Sequence, residues 1–242
     1  MNLKDKIAVV TGGSSGIGKA ISIALSNEGC KVVFTYNSNE DGATKTLKEL
    51  RKSGLKYKVD LRKEGDIKNL FGFVKDKFEK LDILVNNAGY SQTNKYFDLE
   101  VWQRAFDTNI LGYVRTIKYS IDLMTSGSKI LNISSVYAED KAAWQGKSAD
   151  AASKAAINNM TRTVAKELAP RILVNALAPG YVDTKLWDEF TQKEKEEAKN
   201  DLLIARLIQP SEIAQMAVAI IKNDAMTGEV VVVDGGLSLK TV

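Results

Sequence analysis

The chain has 242 residues, 44% of them apolar, and a net charge of +4 from interspersed acidic and basic residues. This length and balance predict a single domain over residues 1–242 with no nucleic-acid partner, while the lone Cys30 and the lack of a long apolar run predict a cytoplasmic protein that does not enter a membrane. Because histidine is absent, Ser-His-Asp hydrolases, Cys-His proteases and histidine-ligated metal sites are excluded, and we predict no metal site.

Short β-branched runs alternate along the chain with longer amphipathic segments. Strands are predicted at Lys6–Thr11, Lys31–Tyr36, Leu55–Val59, Ile83–Val85, Lys129–Ile133, Ile172–Ala176 and Val230–Val233. Helices are predicted at Ile17–Asn27, Asp41–Lys52, Glu64–Phe78, Leu99–Met124, Ala149–Leu168 and Ser211–Lys222. This alternation is typical of βαβ units. We therefore predict an α/β fold, a Rossmann-type doubly wound sheet of about seven parallel strands with helices on both faces.

The segment Lys185–Ile208 interrupts this alternation. It is rich in Lys, Glu and Asp, with apolar residues at helical intervals. One interpretation is a surface helical insertion. The other is a substrate-covering segment, because it follows the carboxyl end of a strand, where ligands bind in open α/β sheets. The two interpretations are compatible.

A glycine-rich turn joins the first predicted strand to the first predicted helix. It reads Thr-Gly-Gly-Ser-Ser-Gly-Ile-Gly over residues 11–18. Such a turn brings backbone amides and a helix N-terminus close to a diphosphate, with no Cβ in the way. The residues predicted to hold the cofactor here are Gly12, Ser14, Ser15, Gly16, Ile17 and Gly18. The alternative is a tight packing turn without a ligand.

These motifs resemble the short-chain dehydrogenase/reductase family over essentially the whole chain. The turn spacing, the Asn-Asn-Ala-Gly run at residues 86–89 and the Asp-Gly-Gly run at residues 234–236 occur in the family's order. The resemblance implies a nicotinamide dinucleotide cofactor, a small-molecule or acyl-thioester substrate and a homotetramer that packs through the helix at Ala149–Leu168. The further cofactor contacts that it implies are Asp60, Leu61, Asn87, Ala88, Gly89, Pro179, Gly180, Val182 and Thr184.

The choice between NAD and NADP depends on the end of the second strand. An acid there binds the adenosine ribose and repels a 2′-phosphate. Here Tyr36, Asn37 and Ser38 provide no acid. Ser15 stands where many NADP-preferring relatives carry arginine, so that cation is missing too. Asn37 and Ser38 can hydrogen-bond a phosphate, and we predict NADP, with NAD possible.

Three catalytic positions are identified by the same resemblance. Asn109 resembles the asparagine that holds a water in the proton relay, and Ser135 the serine that hydrogen-bonds the substrate oxygen. Lys154 resembles the lysine that binds the nicotinamide ribose. Structural roles remain open for each: a cap for Asn109, a strand-end hydroxyl for Ser135 and a solvated charge for Lys154.

Asp150 departs from the family pattern, which has tyrosine four residues before the lysine. Residues four apart are neighbours on a helix, so we expect a salt bridge between Asp150 and Lys154. An aspartate beside a cation is ionised at neutral pH, cannot donate a proton, and repels the alkoxide that hydride delivery creates. By itself, Asp150 argues against ordinary ketone reduction.

Tyr137 is a candidate replacement for the missing acid. The interval from Ser135 to Asp150 is about two residues longer than in typical relatives. The Tyr-Ala-Glu run that begins at Tyr137 is similar to the dienoyl-CoA reductases, a branch of the family that uses a tyrosine from such a run. The insertion at Lys141–Lys147 can also move other groups, and Tyr137 can instead be a wall of the pocket.

The leading hypothesis is an NAD(P)-dependent oxidoreductase that transfers hydride to a carbonyl or an activated C=C, most similar to the 3-oxoacyl-carrier-protein reductases. Tyr137, or water held by Asn109, would supply the proton. The alternative is a catalytically impaired dinucleotide-binding protein, a sensor or the partner of an active paralogue. A third possibility is that Asp150 is a substitution in an otherwise ordinary enzyme.

Overall fold

The structure is a computed structural model that describes residues 1–51, 54–92, 97–138, 146–188 and 190–239. The sequence predictions extend beyond these ranges at a few positions. The positions outside the described residues include Lys52 in a predicted helix, Glu139 in the Tyr-Ala-Glu run, most of the insertion at Lys141–Lys147, and Glu189.

Seven parallel strands form one sheet, and the predicted fold class is confirmed. The strands are β1 (Ile7–Val10), β2 (Lys31–Tyr36), β3 (Leu55–Lys58), β4 (Leu81–Asn86), β5 (Met124–Ile133), β6 (Ile172–Pro179) and β7 (Val230–Val233). Their spatial order is β3-β2-β1-β4-β5-β6-β7. The order reverses between β1 and β4, and ligands of open α/β sheets bind at such a reversal, outside the carboxyl ends of the strands.

Helices cover both faces of the sheet. In the described ranges they are α1 (Gly16–Asn27), α2 (Glu40–Glu49), α3 (Glu64–Phe78), α4 (Leu99–Phe106), α5 (Gly112–Ser120), α6 (Ser148–Leu168), α7 (Gln192–Asp201) and α8 (Pro210–Lys222). The side chains of β1 point alternately to the two faces of the sheet, so a layer of helices is needed on each face. Ala8 and Val10 pack in one core with α1 and α8, whereas Ile7 and Val9 pack in the other with α3.

The prediction of one helix over Leu99–Met124 is wrong. A π-helical segment at Asp107–Leu111 separates α4 from α5, and the Gly112 amide bonds to the carbonyl of Asp107, five residues earlier. The guanidinium of Arg115 also donates to that carbonyl, at 3.3 Å. Met124 belongs to β5, where it pairs with Leu81 of β4. Apolar periodicity continues across a one-residue insertion of this kind, so the pattern does not reveal the interruption.

The segment Lys185–Ile208 forms a short 3-10 turn at Lys185–Trp187, followed by α7. Five of its apolar residues join a separate small cluster with Tyr181 and the partly buried Tyr137; they are Trp187, Phe190, Ala198, Leu202 and Leu207. Its last residue, Ile208, forms a bridge with Val182 just beyond β6. The segment therefore lies next to the strand ends that carry the predicted site. Its role in covering a substrate remains a prediction.

Candidate active site

The predicted site residues meet at the carboxyl edge of the sheet. The turn after β1 carries Gly12, Ser14, Ser15, Gly16, Ile17 and Gly18. The ends of β2 and β3 carry Tyr36, Asn37, Ser38, Asp60 and Leu61. The ends of β4 and β6 carry Asn87, Ala88, Gly89, Pro179, Gly180, Val182 and Thr184. Asn109 lies in the π-helical segment, Ser135 and Tyr137 follow β5, and Asp150 and Lys154 lie in α6. Their individual roles remain predictions.

The glycines of the first turn make a cradle that side chains would fill. Gly12 and Gly16 adopt φ of 70° and 53°, which favour glycine. A Cβ on Gly13 would lie 2.6 Å from Phe34, and a Cβ on Gly18 would lie 2.3 Å from the side-chain nitrogen of Asn87. The N-cap residue of α1, Ser15, makes no side-chain cap bond, so the first-turn amides face the cradle. This arrangement fits the diphosphate of a dinucleotide.

The neighbouring strands hold this cradle in place. The hydroxyl of Thr11 accepts hydrogen bonds from the amides of Asn87 and Ala88, both at 2.9 Å. In return, the side chain of Asn87 donates to the Thr11 carbonyl at 2.8 Å. The side chain of Thr184 lies 3.3 Å from where a Cβ of Gly16 would be. The loops after β1, β4 and β6 therefore form one continuous rim.

Charges at the end of β2 are partly neutralised. Glu40 accepts hydrogen bonds from Lys56 and from the hydroxyl of Tyr36, both at 3.1 Å. The bond from Lys56, then that from Tyr36, lowers the pKa of the Glu40 carboxyl. The hydroxyl of Tyr36, a predicted cofactor contact, is therefore already hydrogen-bonded to Glu40. Lys58 lies beside Tyr36 in the neighbouring strand β3.

Asp60 is held by an arginine two residues further on. Arg62 donates from Nε at 2.9 Å and from Nη2 at 2.6 Å to the two carboxylate oxygens, and this pairing lowers the pKa of the Asp60 carboxyl. Leu61 is buried and packs in the core. The two residues thus point differently, with the acid at the rim and the leucine beneath it.

Lys154 is buried in α6 and its ammonium is fixed by the main chain. Nζ donates to the carbonyl of Ile133 at 2.9 Å. It also lies 3.7 Å from where a Cβ of Gly89 would be, which places it below the loop after β4. Burial lowers the pKa of the Lys154 amine, while the negative charge of Asp150 opposes this effect. A solvated surface charge is excluded by this burial.

The expected Asp150–Lys154 salt bridge is wrong. The Asp150 carboxylate instead accepts a hydrogen bond from the hydroxyl of Ser91 at 2.8 Å through Oδ2, and Lys154 turns to Ile133. Ser91 in turn accepts from the ammonium of Lys147 at 3.2 Å. Tertiary partners therefore replace the helical i,i+4 pair, which is worth only about 0.3–0.5 kcal/mol on an exposed surface.

Asn109 clamps the loop that carries Ser91. Its Oδ1 accepts from the amide of Tyr90 at 2.7 Å, and its Nδ2 donates to the carbonyl of Tyr90 at 3.0 Å. Nδ2 also donates to the hydroxyl of Ser153 at 2.8 Å. The side chain thereby joins the π-helical segment to α6. Both of its amide hydrogens are used in these bonds, so its observed role is to position the loop.

Ser135 and Tyr137 lie at the start of the loop after β5. The hydroxyl of Ser135 accepts from the amide of Tyr137 at 3.2 Å, and its own proton has no acceptor among the described residues. The ring of Tyr137 lies 6.2 Å from that of Tyr181. Burial, followed by a hydrogen bond to Tyr181, raises the pKa of the Tyr137 hydroxyl. Tyr137 thus packs against the cluster around Tyr181, and its hydroxyl already has a partner. Its role as a proton donor or as a wall of the pocket remains a prediction.

Sequence reasoning missed four residues at this edge: Ser91, Lys147, Tyr181 and Lys58. Ser91 and Lys147 form the hydrogen-bonded chain to Asp150, although 59 and 3 positions separate them from it. Of the four, only Tyr181 could have been found from the sequence, because it follows the Pro-Gly pair of the loop that is predicted to contact the nicotinamide. Nothing in the local sequence marked the other three.

Among the described residues, no helix is long and apolar enough to cross a membrane. No group of three or more acidic or cysteine side chains in the same ranges is arranged to hold a metal ion.

Comparisons with known proteins agree with this geometry. The family profile described as Enoyl-(Acyl carrier protein) reductase matches residues 12–238. The 3-oxoacyl-(acyl-carrier-protein) reductase of Thermotoga maritima is 32% identical over 98% of this chain and 99% of its own. A double mutant of a Serratia marcescens short-chain dehydrogenase/reductase superposes with a TM-score of 0.92, at 30% identity over 98% of this chain and 100% of its own. RhlG of Pseudomonas aeruginosa, solved as an NADP active-site complex, gives 0.91 at 28% identity over 98% of both chains.

These matches span the glycine cradle, the rim and α6. The two structural superpositions, with TM-scores of 0.92 and 0.91, agree with the observed fold. The chain belongs to the short-chain dehydrogenase/reductase family of oxidoreductases.

Proposed function

We propose that this protein is an NADP-dependent reductase that delivers hydride to a polarised double bond of a small or thioester-linked substrate. The observation that carries this proposal is the glycine cradle with its uncapped helix, facing Ser135 and Lys154 across the same edge of the sheet. The similarity to a 3-oxoacyl-(acyl-carrier-protein) reductase supports a carbonyl of an acyl thioester, and an activated C=C is the other candidate.

The chain's residues would organise the acceptor, and a bound nicotinamide would supply the hydride. The cradle would hold the diphosphate through backbone amides. Lys154, fixed by the carbonyl of Ile133, would anchor the nicotinamide ribose. Ser135 has a free proton to donate to the acceptor atom, because its oxygen is already oriented by the amide of Tyr137.

Preference for NADP rests on the charges next to Asn37. Lys58 and Lys63 line a cleft with Asn37, and neither forms an ion pair with another described residue. The nearby acids Glu40 and Asp60 are each held by another cation. Asp66 also lines the cleft, but its carboxylate accepts the amide of Asp60 at 3.0 Å. Lys58 can therefore supply the counter-charge that Ser15 does not.

Replacement of Lys58 tests this assignment. We expect Lys58→Gln to raise the Kd for NADPH about five- to tenfold, because a phosphate–ammonium contact at a surface is worth on the order of 1 kcal/mol. The Kd for NADH should not change, since NADH lacks the 2′-phosphate. Lys45→Gln, an exposed change on α2, is the matched control. Equal effects of Lys58→Gln on both cofactors would contradict the assignment.

The proposal as a whole is tested by NADPH consumption against ketones, 3-oxoacyl thioesters and dienoyl thioesters. Turnover with any of these supports a working reductase. A Tyr137→Phe variant that keeps wild-type turnover would exclude Tyr137 as the proton donor. We expect that result, because the Tyr137 hydroxyl has a raised pKa and is bonded to Tyr181.

A second candidate is a dinucleotide-binding protein without turnover. It is favoured by Asp150, which stands where the family has its tyrosine and is held by Ser91. Tight NADPH binding with no consumption, together with rescue of ketone reduction by Asp150→Tyr, would support it. The predicted cytoplasmic location and homotetramer stay predictions under either function.

A further inference from the structure

Asp150 presents an unfilled acceptor at the place where the family has a proton donor. The residue is 7% exposed. Its Oδ2 is held by Ser91 at 2.8 Å, while Oδ1 is buried and has no hydrogen-bond partner among the described residues. A buried acceptor without a partner costs on the order of 1–3 kcal/mol, and more when it is charged. The observed site is thus incomplete without a donor.

The nearest cation does not fill this position. Lys154 donates to the carbonyl of Ile133 rather than to Asp150. Lys147 reaches Asp150 only through Ser91. Asp150 places a carboxyl group near Lys154 where the family has a phenol. The N–H of a cationic substrate would give the unpartnered Oδ1 a charge-assisted hydrogen bond.

The reaction that suits a carboxylate here is hydride addition to a cation. Hydride addition to a ketone creates an alkoxide, which a carboxylate repels and cannot protonate. Hydride addition to a protonated imine forms a C–H bond at carbon, and the π electrons of the C=N bond become the lone pair of nitrogen. Nitrogen keeps its proton and becomes a neutral amine. The step transfers one hydride, a proton with two electrons, so the reduced nicotinamide that would supply it would be left as the pyridinium. No proton donor is needed.

We infer that the substrate class of this site is a protonated imine, with Asp150 accepting the iminium N–H through Oδ1. The inference rests on the proposed reductase function and specifies which class of double bond accepts the hydride. Oδ1 is shielded from water, so its attraction to a cation is stronger than at the surface. Ser91 is the positioning residue, because its hydroxyl orients the carboxylate through Oδ2.

The test compares an imine with a ketone of the same shape. NADPH consumption is measured with 2-methyl-1-pyrroline and with 2-methylcyclopentanone, for the wild-type chain, Asp150→Asn and Asp150→Tyr. We expect the wild type to prefer the imine. Asp150→Asn removes the charge at nearly constant shape and should lower imine turnover about 100-fold, the size of effect seen when one preorganised electrostatic contact is lost. Asp150→Tyr should reverse the preference toward the ketone.

A binding measurement gives a second readout. The affinity of 2-methylpyrrolidinium, the protonated product, is measured calorimetrically with NADP-saturated protein. We expect Asp150→Asn to weaken it at least tenfold, and Ser91→Ala to weaken it less and to raise KM more than it lowers kcat. The Kd for NADPH should be the same in all variants, which shows that each one is folded.

The outcomes separate the two proposals. Ketone turnover above imine turnover in the wild type, or unchanged imine turnover in Asp150→Asn, would overturn the inference and leave the reductase function standing. NADPH binding without consumption of either substrate would overturn the inference, and the proposed function would fall with it only if the 3-oxoacyl and dienoyl thioesters also gave no consumption. Failure to bind NADPH would overturn the proposed function first and the inference with it.

Discussion

Asp150 shows how one side chain redirects the electrostatics of a familiar site. Its carboxylate is buried, one oxygen is held by Ser91, and the other has no described partner. Under the two proposals above, the chemical class of the acceptor depends on this position, whereas binding of the dinucleotide depends on glycines in another part of the edge. The cradle and the acceptor site can be tested independently for that reason.

The role of the cradle in binding the dinucleotide can be tested by a substitution at Gly18. A Cβ at Gly18 would lie 2.3 Å from the side-chain nitrogen of Asn87 and from the carbonyl of Gly12. Gly18→Ala should push these groups apart and raise the Kd for the dinucleotide at least tenfold, which corresponds to about 1.4 kcal/mol. Fluorescence titration with NADPH measures this change.

Gly72 of α3 provides the control, because nothing lies within 4 Å of a Cβ at that position. Gly72→Ala should leave the Kd unchanged and stabilise the fold by up to about 1 kcal/mol through helix propensity. An unchanged Kd in Gly18→Ala would show that the cradle tolerates the methyl group.

Strands and helices are joined behind the site by a line of buried polar side chains. Thr116 of α5 donates to Asn86 of β4 at 2.7 Å, Asn86 donates to Asn132 of β5 at 3.0 Å, and Asn132 donates to Thr161 of α6 at 3.0 Å. All four are fully buried. Because each donor has a specific acceptor, this line fixes α5 and α6 against the sheet.

Removing the central amide should break this line. Asn132→Leu leaves the donor of Asn86 and the hydroxyl of Thr161 without their partner, so we expect the free energy of unfolding to fall by about 2–4 kcal/mol. Urea denaturation measures it. Asn159→Ala, at an exposed position of α6, should stay within about 0.5 kcal/mol of the wild type. Similar midpoints for the two variants would mean that water replaces the lost bonds.

Met1 and Lys129 meet Asp224 in a small ion cluster. Asp224 accepts from the buried Lys129 at 2.7 Å and from the N-terminal amine of Met1 at 2.8 Å. The bond from Lys129, followed by that from the N-terminus, lowers the pKa of the Asp224 carboxyl to about 2 from its usual 3.8. This cluster connects β5 to the segment that precedes β7.

The lowered pKa of Asp224 makes the contribution of this cluster to stability depend on pH. A carboxyl with a lower pKa in the folded state stabilises the fold fully above pH 3.8, and this contribution is lost as the pH falls toward 2. We expect Asp224→Asn to lower the melting temperature at pH 6 but to differ less from the wild type near pH 2. A constant difference across this pH range would contradict the role of the ion pair.

We expect copies of the chain to meet at two exposed apolar residues. Leu111 is 47% exposed and Val114 is 44% exposed, on consecutive turns of the π-helical segment and α5. Family resemblance implies a homotetramer, and we expect this surface to take part in it. Val114→Asp should lower the mass measured by light scattering, because an unpaired charge disfavours an apolar interface.

The control for that experiment is Lys68→Gln on the exposed side of α3. It changes the net charge by the same amount and should leave the mass unchanged. A wild-type chain that runs as a monomer would contradict the homotetramer itself.

Strand positions, the glycine turn and the parallel order could be read from the sequence, because they depend on local periodicity and on residues that tolerate positive φ. The identity of Asp150 as an acid was equally visible. Its partners were not: the sequence favoured Lys154, four residues away, whereas folding brings Ser91 to it and directs Lys154 to Ile133. The break at Asp107–Leu111 was hidden for a similar reason, since it depends on Arg115 and on packing between segments. Local chemistry sets which groups are present, and long-range packing sets which of them meet.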